Sequence, residues 1–242
     1  MRALLVLLLL AATSACGGSG DDSALRVFAA ASLTDSFTAL GRQFEEEHPG
    51  TTVELSFGPS SGLAEQIASG APADVFASAS PVQMEKVAGD VEDPQDFATN
   101  RMAIAVPPDN PAGIDSLADL AVDDVKVALC QPQVPCGSTA AEVFDNAGIT
   151  VRPATEEVDV RSVLTKVNLG EVDAGVVYVT DVRAAGDDVT GIEIPVDQNA
   201  ATTYPIATVT GSDHARLAGE FVDLVLSDAG ATVLADAGFE RP

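Results

Sequence analysis

The sequence predicts an α/β fold in which mostly parallel sheets are flanked by helices. Short apolar segments with strand-like patterns alternate along the chain with segments in which apolar residues recur at helical spacing. Residues that stop helices follow the first two helical segments, at Pro49-Gly50 and at Gly70. This alternation indicates βαβ units, because two parallel strands need a crossover connection and a helix usually supplies it.

The first strand and the first helix show the pattern most clearly. Residues 25–30 read Leu-Arg-Val-Phe-Ala-Ala, which is typical of a short buried strand. A helix follows, in which four apolar residues recur at helical spacing: Leu33, Phe37, Leu40 and Phe44. The pair is the first half of a βαβ unit.

The same pattern continues along the rest of the chain. The predicted later strands are residues 52–57, 74–77, 102–106, 125–129 and 174–179. The predicted later helices lie at residues 63–67, around 117, at 140–147 and 160–169, and one or two more span 214–237.

The N-terminal segment has the features of an export signal. Residues 1–15 combine a basic start, an apolar run and small residues directly before Cys16, so we predict a signal peptide. The site resembles the lipobox of bacterial lipoproteins, which implies that Cys16 carries a lipid. Residues 16–23 are rich in Gly, Ser and Asp and predict a flexible tether. Ordinary cleavage near Ala15 is the alternative.

The two remaining cysteines, Cys130 and Cys136, predict one disulfide, because thiols outside the cytoplasm tend to oxidise. Two buried free thiols are the alternative. A zinc site is disfavoured, because neither the cysteine spacing nor the two histidines supply a recognisable ligand set.

Composition and motifs exclude several functions. The chain has 37 acidic and 12 basic residues and a formal net charge of −25, which argues against a nucleic-acid partner. No GxSxG, HExxH, P-loop or GxGxxG motif is present, and His48 and His214 stand alone. We therefore predict a protein that is not an enzyme.

Two strand-to-helix turns carry serines where an anion would bind. Ser32 lies in the turn after the first strand, and Ser60 lies in the turn after the second. Backbone N–H groups in the first turn of a helix lack acceptors, and the helix dipole favours negative charge there. The alternative is that Ser32, or Thr34, only caps the first helix.

The chain is similar to the periplasmic molybdate-binding proteins of ABC importers. The segments that carry the resemblance keep the order of the family: AAASLTDSF (29–37), SFGPSSGLAEQIASGAPADVFASA (56–79), VPCG (134–137), EEVDVRSVLTKV (156–167), AGVVYVTD (174–181) and TTYPIATV (202–209). The resemblance implies a type II periplasmic-binding-protein fold. Residues 24–99 and 205–242 would form lobe 1, and residues 100–204 lobe 2, with strands that cross between them.

The resemblance also implies a ligand and a set of donors. Ser32 and Ser60 would offer hydroxyl and backbone N–H groups, Cys136 and Val160 backbone N–H groups, and Tyr178 its phenolic hydroxyl. The ligand would be molybdate or tungstate, bound through its oxygens without direct metal-cation ligands or any cofactor. A monomer would deliver it to the permease of an importer, from a lipid anchor on the outer face of the cell membrane.

Other functions stay open at this point. A receptor of the same fold for sulfate, thiosulfate or an iron(III) complex is one alternative. An iron site would require clustered tyrosines and carboxylates, and the chain has only two tyrosines, Tyr178 and Tyr204. An enzyme or a sensor on this fold is a further alternative. Arg161 is expected to form a surface ion pair with its acidic neighbours Glu156, Glu157 and Asp159 rather than to bind the ligand.

Overall fold

The computed structural model describes residues 23–242 of the chain. The predicted signal peptide, the predicted lipidation site Cys16 and all but the last residue of the predicted tether lie outside these residues. Within 23–242, no helix is long and apolar enough to cross a membrane.

The predicted α/β class is confirmed. The strands are β1 (Ser23–Ala30), β2 (Thr51–Gly58), β3 (Val75–Ala77), β4 (Val91–Val106), β5 (Val127–Cys130), β6 (Thr155–Glu157), β7 (Ala174–Tyr178), β8 (Thr190–Glu193) and β9 (Ala201–Val209). The α-helices are α1 (Thr34–Glu47), α2 (Ser60–Ala68), α3 (Pro81–Glu85), α4 (Pro135–Ala147), α5 (Val160–Asn168), α6 (Val179–Ala185), α7 (Ala215–Leu226) and α8 (Asp228–Ala237). Short 3₁₀ helices span Ala31–Leu33, Leu117–Ala121 and Gly186–Asp188.

Two antiparallel strands join two parallel groups. The strand order is β2-β1-β3-β9-β4-β7-β5-β6, and β8 pairs with β4. β1 is parallel to β2 and β3, and β5 is parallel to β6 and β7. β4 pairs with β9 up to Arg101 and with β7 from Met102 onward. β4 and β9 are therefore the connection between the two lobes.

Each lobe has its own core. In lobe 1, α1, α7 and α8 cover one face of the sheet, where Phe221 packs edge-on against Phe37 and Phe44 at ring distances of 6.0 and 5.4 Å. The other face packs against α2 and α3 through Phe28, Phe76 and their neighbours. Lobe 2 has one aliphatic core around β5 and β7. Burial on both faces explains why β3, β5 and β7 read as continuous apolar runs.

The prediction of β4 was incomplete. The sequence predicted only residues 102–106, whereas the strand begins at Val91. Residues 92–96 are exposed and polar, include Pro94, and sit next to two register shifts in the pairing with β9. An exposed, bulged edge lacks the apolar alternation on which strand prediction depends.

Strand ends and helix starts meet between the lobes. β1 and β2 lead into the Ala31–Leu33 turn and α2, and β5 and β6 lead into α4 and α5. The C-terminal ends of parallel strands are the edge at which doubly wound folds bind ligands.

The first turn of α4 packs closely on the end of β5, and this contact requires a glycine. A methyl group at position 137 would lie 2.0 Å from the carbonyl oxygen of Gln131 and 2.9 Å from that of Cys130. Both atoms belong to the backbone and cannot rotate away.

We expect Gly137→Ala to lower the free energy of unfolding by about 1–3 kcal/mol, because the backbone must shift to admit the methyl group. Gly219→Ala in α7 is the matched control, since no atom lies within 4 Å of the added methyl. It should raise the free energy of unfolding by about 0.5–1 kcal/mol. Urea unfolding measures both changes, and a Gly137→Ala protein as stable as the unaltered one would contradict this packing.

Candidate anion site between the lobes

A small cavity lies between the two lobes where the helix starts converge. Its volume is about 20 Å³, slightly more than the roughly 10–15 Å³ that one water molecule requires. All five residues predicted to bind the ligand line it: Ser32, Ser60, Cys136, Val160 and Tyr178. A cavity of this size suits a compact ligand better than a sugar or a peptide.

Four helix starts surround the cavity, two from each lobe. Lobe 1 contributes the Ala31–Leu33 turn that leads into α1, and the start of α2. Lobe 2 contributes the starts of α4 and α5. The first N–H groups of a helix have no acceptor within it, and the dipoles add partial positive charge. The cavity is therefore lined by the ends of helices that favour an anion.

The hydroxyl of Ser60 is held in a donor orientation. Ser60 is 2% exposed, and its Oγ accepts the backbone N–H of Ala79 at 3.0 Å. Because the oxygen already accepts this hydrogen bond, the hydroxyl proton is free to point at a ligand.

Ser32 does not cap the first helix. The 3₁₀ turn and α1 have no side-chain cap, and Thr34 Oγ1 instead donates to the carbonyl oxygen of Ala31 at 2.7 Å. Ser32 Oγ lies 2.9 Å from Tyr204 Oη. The capping alternative is therefore wrong for Ser32.

Tyr178 brings an unused hydroxyl from lobe 2. Its Oη is buried and has no hydrogen-bond partner among residues 23–242. Burial raises the pKa of Tyr178 well above its usual 10, so the group stays protonated. A buried phenol without a partner is costly. An oxygen atom bound in the cavity would satisfy it.

The other two predicted residues stand at helix starts. Cys136 is the second residue of α4, directly after Pro135, and it is bonded to Cys130 across a Cα–Cα distance of 5.7 Å. Val160 is the first residue of α5, and the carboxylate of Asp159 caps this helix by accepting the N–H of Ser162 at 2.8 Å. The disulfide thus links the turn at Cys136 to the end of β5.

Arg161 joins the lobes instead of pairing with its neighbours in sequence. Its guanidinium contacts Asp35 of α1 in lobe 1, and its Nε lies 3.3 Å from Asp181 Oδ1 in lobe 2. The expected pairs with Glu156, Glu157 and Asp159 do not form within the described part of the chain. The first turn of α5 faces lobe 1, so the guanidinium meets Asp35 and not the acidic residues that precede it in the sequence.

Three buried polar residues next to the cavity were missed. Tyr204 contacts Ser32, Asn100 lies behind Tyr204, and Thr202 Oγ1 donates to the carbonyl oxygen of Ala79 at 2.7 Å. All three belong to β4 or β9. Their one sequence signal is a tyrosine within an apolar strand, because a buried phenol needs a partner.

The site offers hydrogen bonds without formal positive charge. None of the described residues that line the cavity is Lys, Arg or His. Serine and tyrosine hydroxyls with helix N-termini suit a small, fully deprotonated anion, which accepts hydrogen bonds from every side.

Asp181 is fully buried beside this site. Its Oδ2 accepts the N–H of Tyr178 at 3.0 Å. Burial raises the pKa of Asp181 from 3.8 to about 7, while Arg161 and the Tyr178 N–H act in the opposite direction. The native state therefore binds this proton more tightly than the unfolded chain does.

The raised pKa predicts a stability that falls with pH. Between pH 4 and pH 7 the native state holds a proton that the unfolded chain has lost, so the contribution of Asp181 falls by up to about 1.4 kcal/mol per pH unit. Asp181→Asn should remove this slope, and the matched change at exposed Asp187 should not. The free energy of unfolding, measured from pH 4 to 8, checks this; equal slopes for both variants would contradict it.

Comparisons with known proteins agree with the geometry. The profile of the bacterial extracellular solute-binding proteins matches residues 25–240. The molybdate-binding protein ModA of Mycobacterium tuberculosis is 41% identical over 234 residues, which cover 96% of this chain and 90% of that protein. YvgL of Bacillus subtilis, whose name describes an ABC transporter substrate-binding lipoprotein, is 32% identical over 99% of this chain and 96% of its own.

A solved structure shows the same fold. The periplasmic molybdate-binding protein of Azotobacter vinelandii superimposes with a TM-score of 0.80, covering 90% of this chain and 99% of that one at 20% identity. With the profile match over almost all described residues, this chain belongs to the bacterial extracellular solute-binding protein family.

Proposed function

We propose that this protein captures molybdate or tungstate in the cavity between its lobes and delivers it to an ABC importer. The observation that supports this proposal most directly is that four helix starts and three hydroxyl groups converge on a cavity of about 20 Å³. The 41% identity to a molybdate-binding protein supports the same ligand class.

Neutral donors suit this ligand for an energetic reason. Each charge-assisted hydrogen bond to a dianion contributes about 1.5–3 kcal/mol. An arginine or lysine in so small a cavity would lose its own hydration whenever the lobes close without ligand. Hydroxyl and backbone N–H groups avoid most of that cost.

Size selects among tetrahedral oxyanions. Molybdate and tungstate have longer bonds to oxygen than sulfate has, so donors spaced for the larger ions leave sulfate incompletely coordinated. Donors left unpaired in a buried site cost free energy. A small difference in radius between two oxyanions therefore becomes a difference in their affinity for the site. Molybdate and tungstate are almost the same size, and the site treats them alike.

The proposal extends to the location and the architecture of the protein. The basic start, the apolar run and Cys16 support export and a lipid anchor on the outer face of the membrane, as does the relative YvgL. The separate cores support lobes of residues 24–99 with 205–242, and 100–204. The protein acts as a monomeric receptor, without a cofactor or catalysis, and its partner is the importer permease.

Calorimetric titration of the purified protein with molybdate, tungstate and sulfate tests the proposed function. We expect molybdate and tungstate to bind with similar affinity, and both to bind about a hundredfold tighter than sulfate. Sulfate binding as tight as molybdate binding would contradict the assignment, and heat from neither molybdate nor tungstate would refute it.

Removing one hydroxyl tests the site. Ser32→Ala and Ser60→Ala should each weaken molybdate binding about tenfold to a hundredfold, because each removes a charge-assisted hydrogen bond. Ser36→Ala is the matched control, since this buried hydroxyl donates to Leu33 O at 3.1 Å and does not line the cavity. Unchanged affinity in both site variants, or an equal loss in the control, would contradict the assignment.

Ser60→Ala should also lower the free energy of unfolding by about 1 kcal/mol, because the N–H of Ala79 loses its acceptor. Ser32→Ala should lower it by a similar amount, because the buried hydroxyl of Tyr204 loses its partner at 2.9 Å. Circular dichroism melts of both variants separate lost binding from lost stability.

A further inference from the structure

We propose that Tyr204 is a positioning residue that fixes the hydroxyl of Ser32 as a hydrogen-bond donor to the bound anion. This inference rests on the proposed function, and it concerns a residue outside the lining of the cavity. It is carried by a chain of hydrogen bonds that begins on β4, passes through β9 and ends at Ser32.

Tyr204 is held firmly where the two lobes join. It is fully buried on β9, and its backbone pairs with Ala98 of β4. Its ring packs edge-on against Phe97, Tyr178 and Phe239 at centroid distances of 6.2, 6.1 and 5.2 Å. Packing on several sides leaves the ring one orientation, so the hydroxyl stays in one place.

The orientation of Asn100 determines the direction of the hydrogen bonds. Its Oδ1 accepts the N–H of Arg101 at 3.0 Å, and its Nδ2 donates to Thr180 Oγ1 at 2.8 Å. The same Nδ2 lies 3.5 Å from Tyr204 Oη. An amide nitrogen has no acceptor capacity, so Tyr204 Oη is the acceptor in that contact.

The phenolic proton of Tyr204 then has Ser32 as its nearest acceptor. In the described part of the chain, Ser32 Oγ at 2.9 Å is the acceptor within hydrogen-bond distance of Tyr204 Oη. Burial raises the pKa of Tyr204 above its usual 10, so the proton stays in place. When Ser32 Oγ accepts this proton, its own proton turns away from Tyr204 and toward the cavity.

The hydroxyl of Ser32 is thereby oriented before the anion arrives. A free serine hydroxyl rotates, and binding must stop that rotation and turn the proton toward the ligand. Ser60 Oγ is oriented by the backbone N–H of Ala79. Tyr204 performs the same task for Ser32 with a side chain.

A double-mutant cycle with molybdate tests the inference. Tyr204→Phe keeps the ring and removes the hydroxyl, and we expect it to weaken molybdate binding about fivefold to tenfold. In the Ser32→Ala background the same change should alter the dissociation constant by less than about twofold, because no Ser32 hydroxyl remains to be oriented.

Ser60→Ala is the matched background. Ser60 lines the same cavity but has no hydrogen bond to Tyr204. In the Ser60→Ala background, Tyr204→Phe should therefore weaken molybdate binding by the same fivefold to tenfold as in the unaltered protein, to within about twofold. A residue that acted only by stabilising the fold would give equal losses in both backgrounds.

Asn100→Ala removes the other end of the same chain of hydrogen bonds, and it replaces Tyr204→Phe in the test if that variant does not fold. It should weaken binding about threefold in the unaltered protein and have no effect beyond error in the Ser32→Ala background. Melting temperatures, recorded for every variant, show which proteins are folded at the temperature of titration.

The outcomes separate the two proposals. An unaltered protein that binds neither molybdate nor tungstate refutes the proposed function and this inference with it. Two results would overturn this inference alone, provided that the unaltered protein binds and Ser32→Ala weakens binding. The first is a Tyr204→Phe protein whose affinity for molybdate changes less than twofold. The second is a loss of affinity from Tyr204→Phe that is as large in the Ser32→Ala background as in the unaltered protein.

Discussion

The structure depends on one constraint: helix N-termini whose N–H groups lack acceptors must be satisfied where the two lobes meet. Four of them face a cavity of about 20 Å³ that no described basic side chain lines. A small anion can accept hydrogen bonds from all four together. The parallel groups of strands, the helices that follow them and the crossing of β4 and β9 all serve to bring these four ends to one point.

Local pattern was enough to predict part of this site. Ser32 and Ser60 follow strands and precede helices, so the sequence places them at an anion-favouring turn. Cys136, Val160 and Tyr178 carry no such signal and were predicted from the family resemblance. The elements that were missed, such as the first half of β4 and the short α3, are polar, bulged or brief, and periodicity does not mark them.

Long-range contacts account for the rest. Ser32 and Tyr204 are 172 positions apart, and the partners of Arg161 lie in α1 and α6. Which polar groups face each other across a closed cleft depends on how the lobes meet, and that follows from the packing of both cores. The polar groups that shape the site therefore include residues behind the cavity lining, on β4 and β9, the strands that connect the lobes.

The lack of basic side chains at the cavity has a kinetic consequence. A dianion that approaches a protein of formal net charge −25 is repelled at long range. Dissolved salt screens that repulsion, with a Debye length of about 10 Å at 0.1 M, but hardly reaches hydrogen bonds inside a closed cleft. Capture should therefore accelerate as ionic strength rises while release stays constant, the reverse of the behaviour of receptors that attract their ligands by opposite charge.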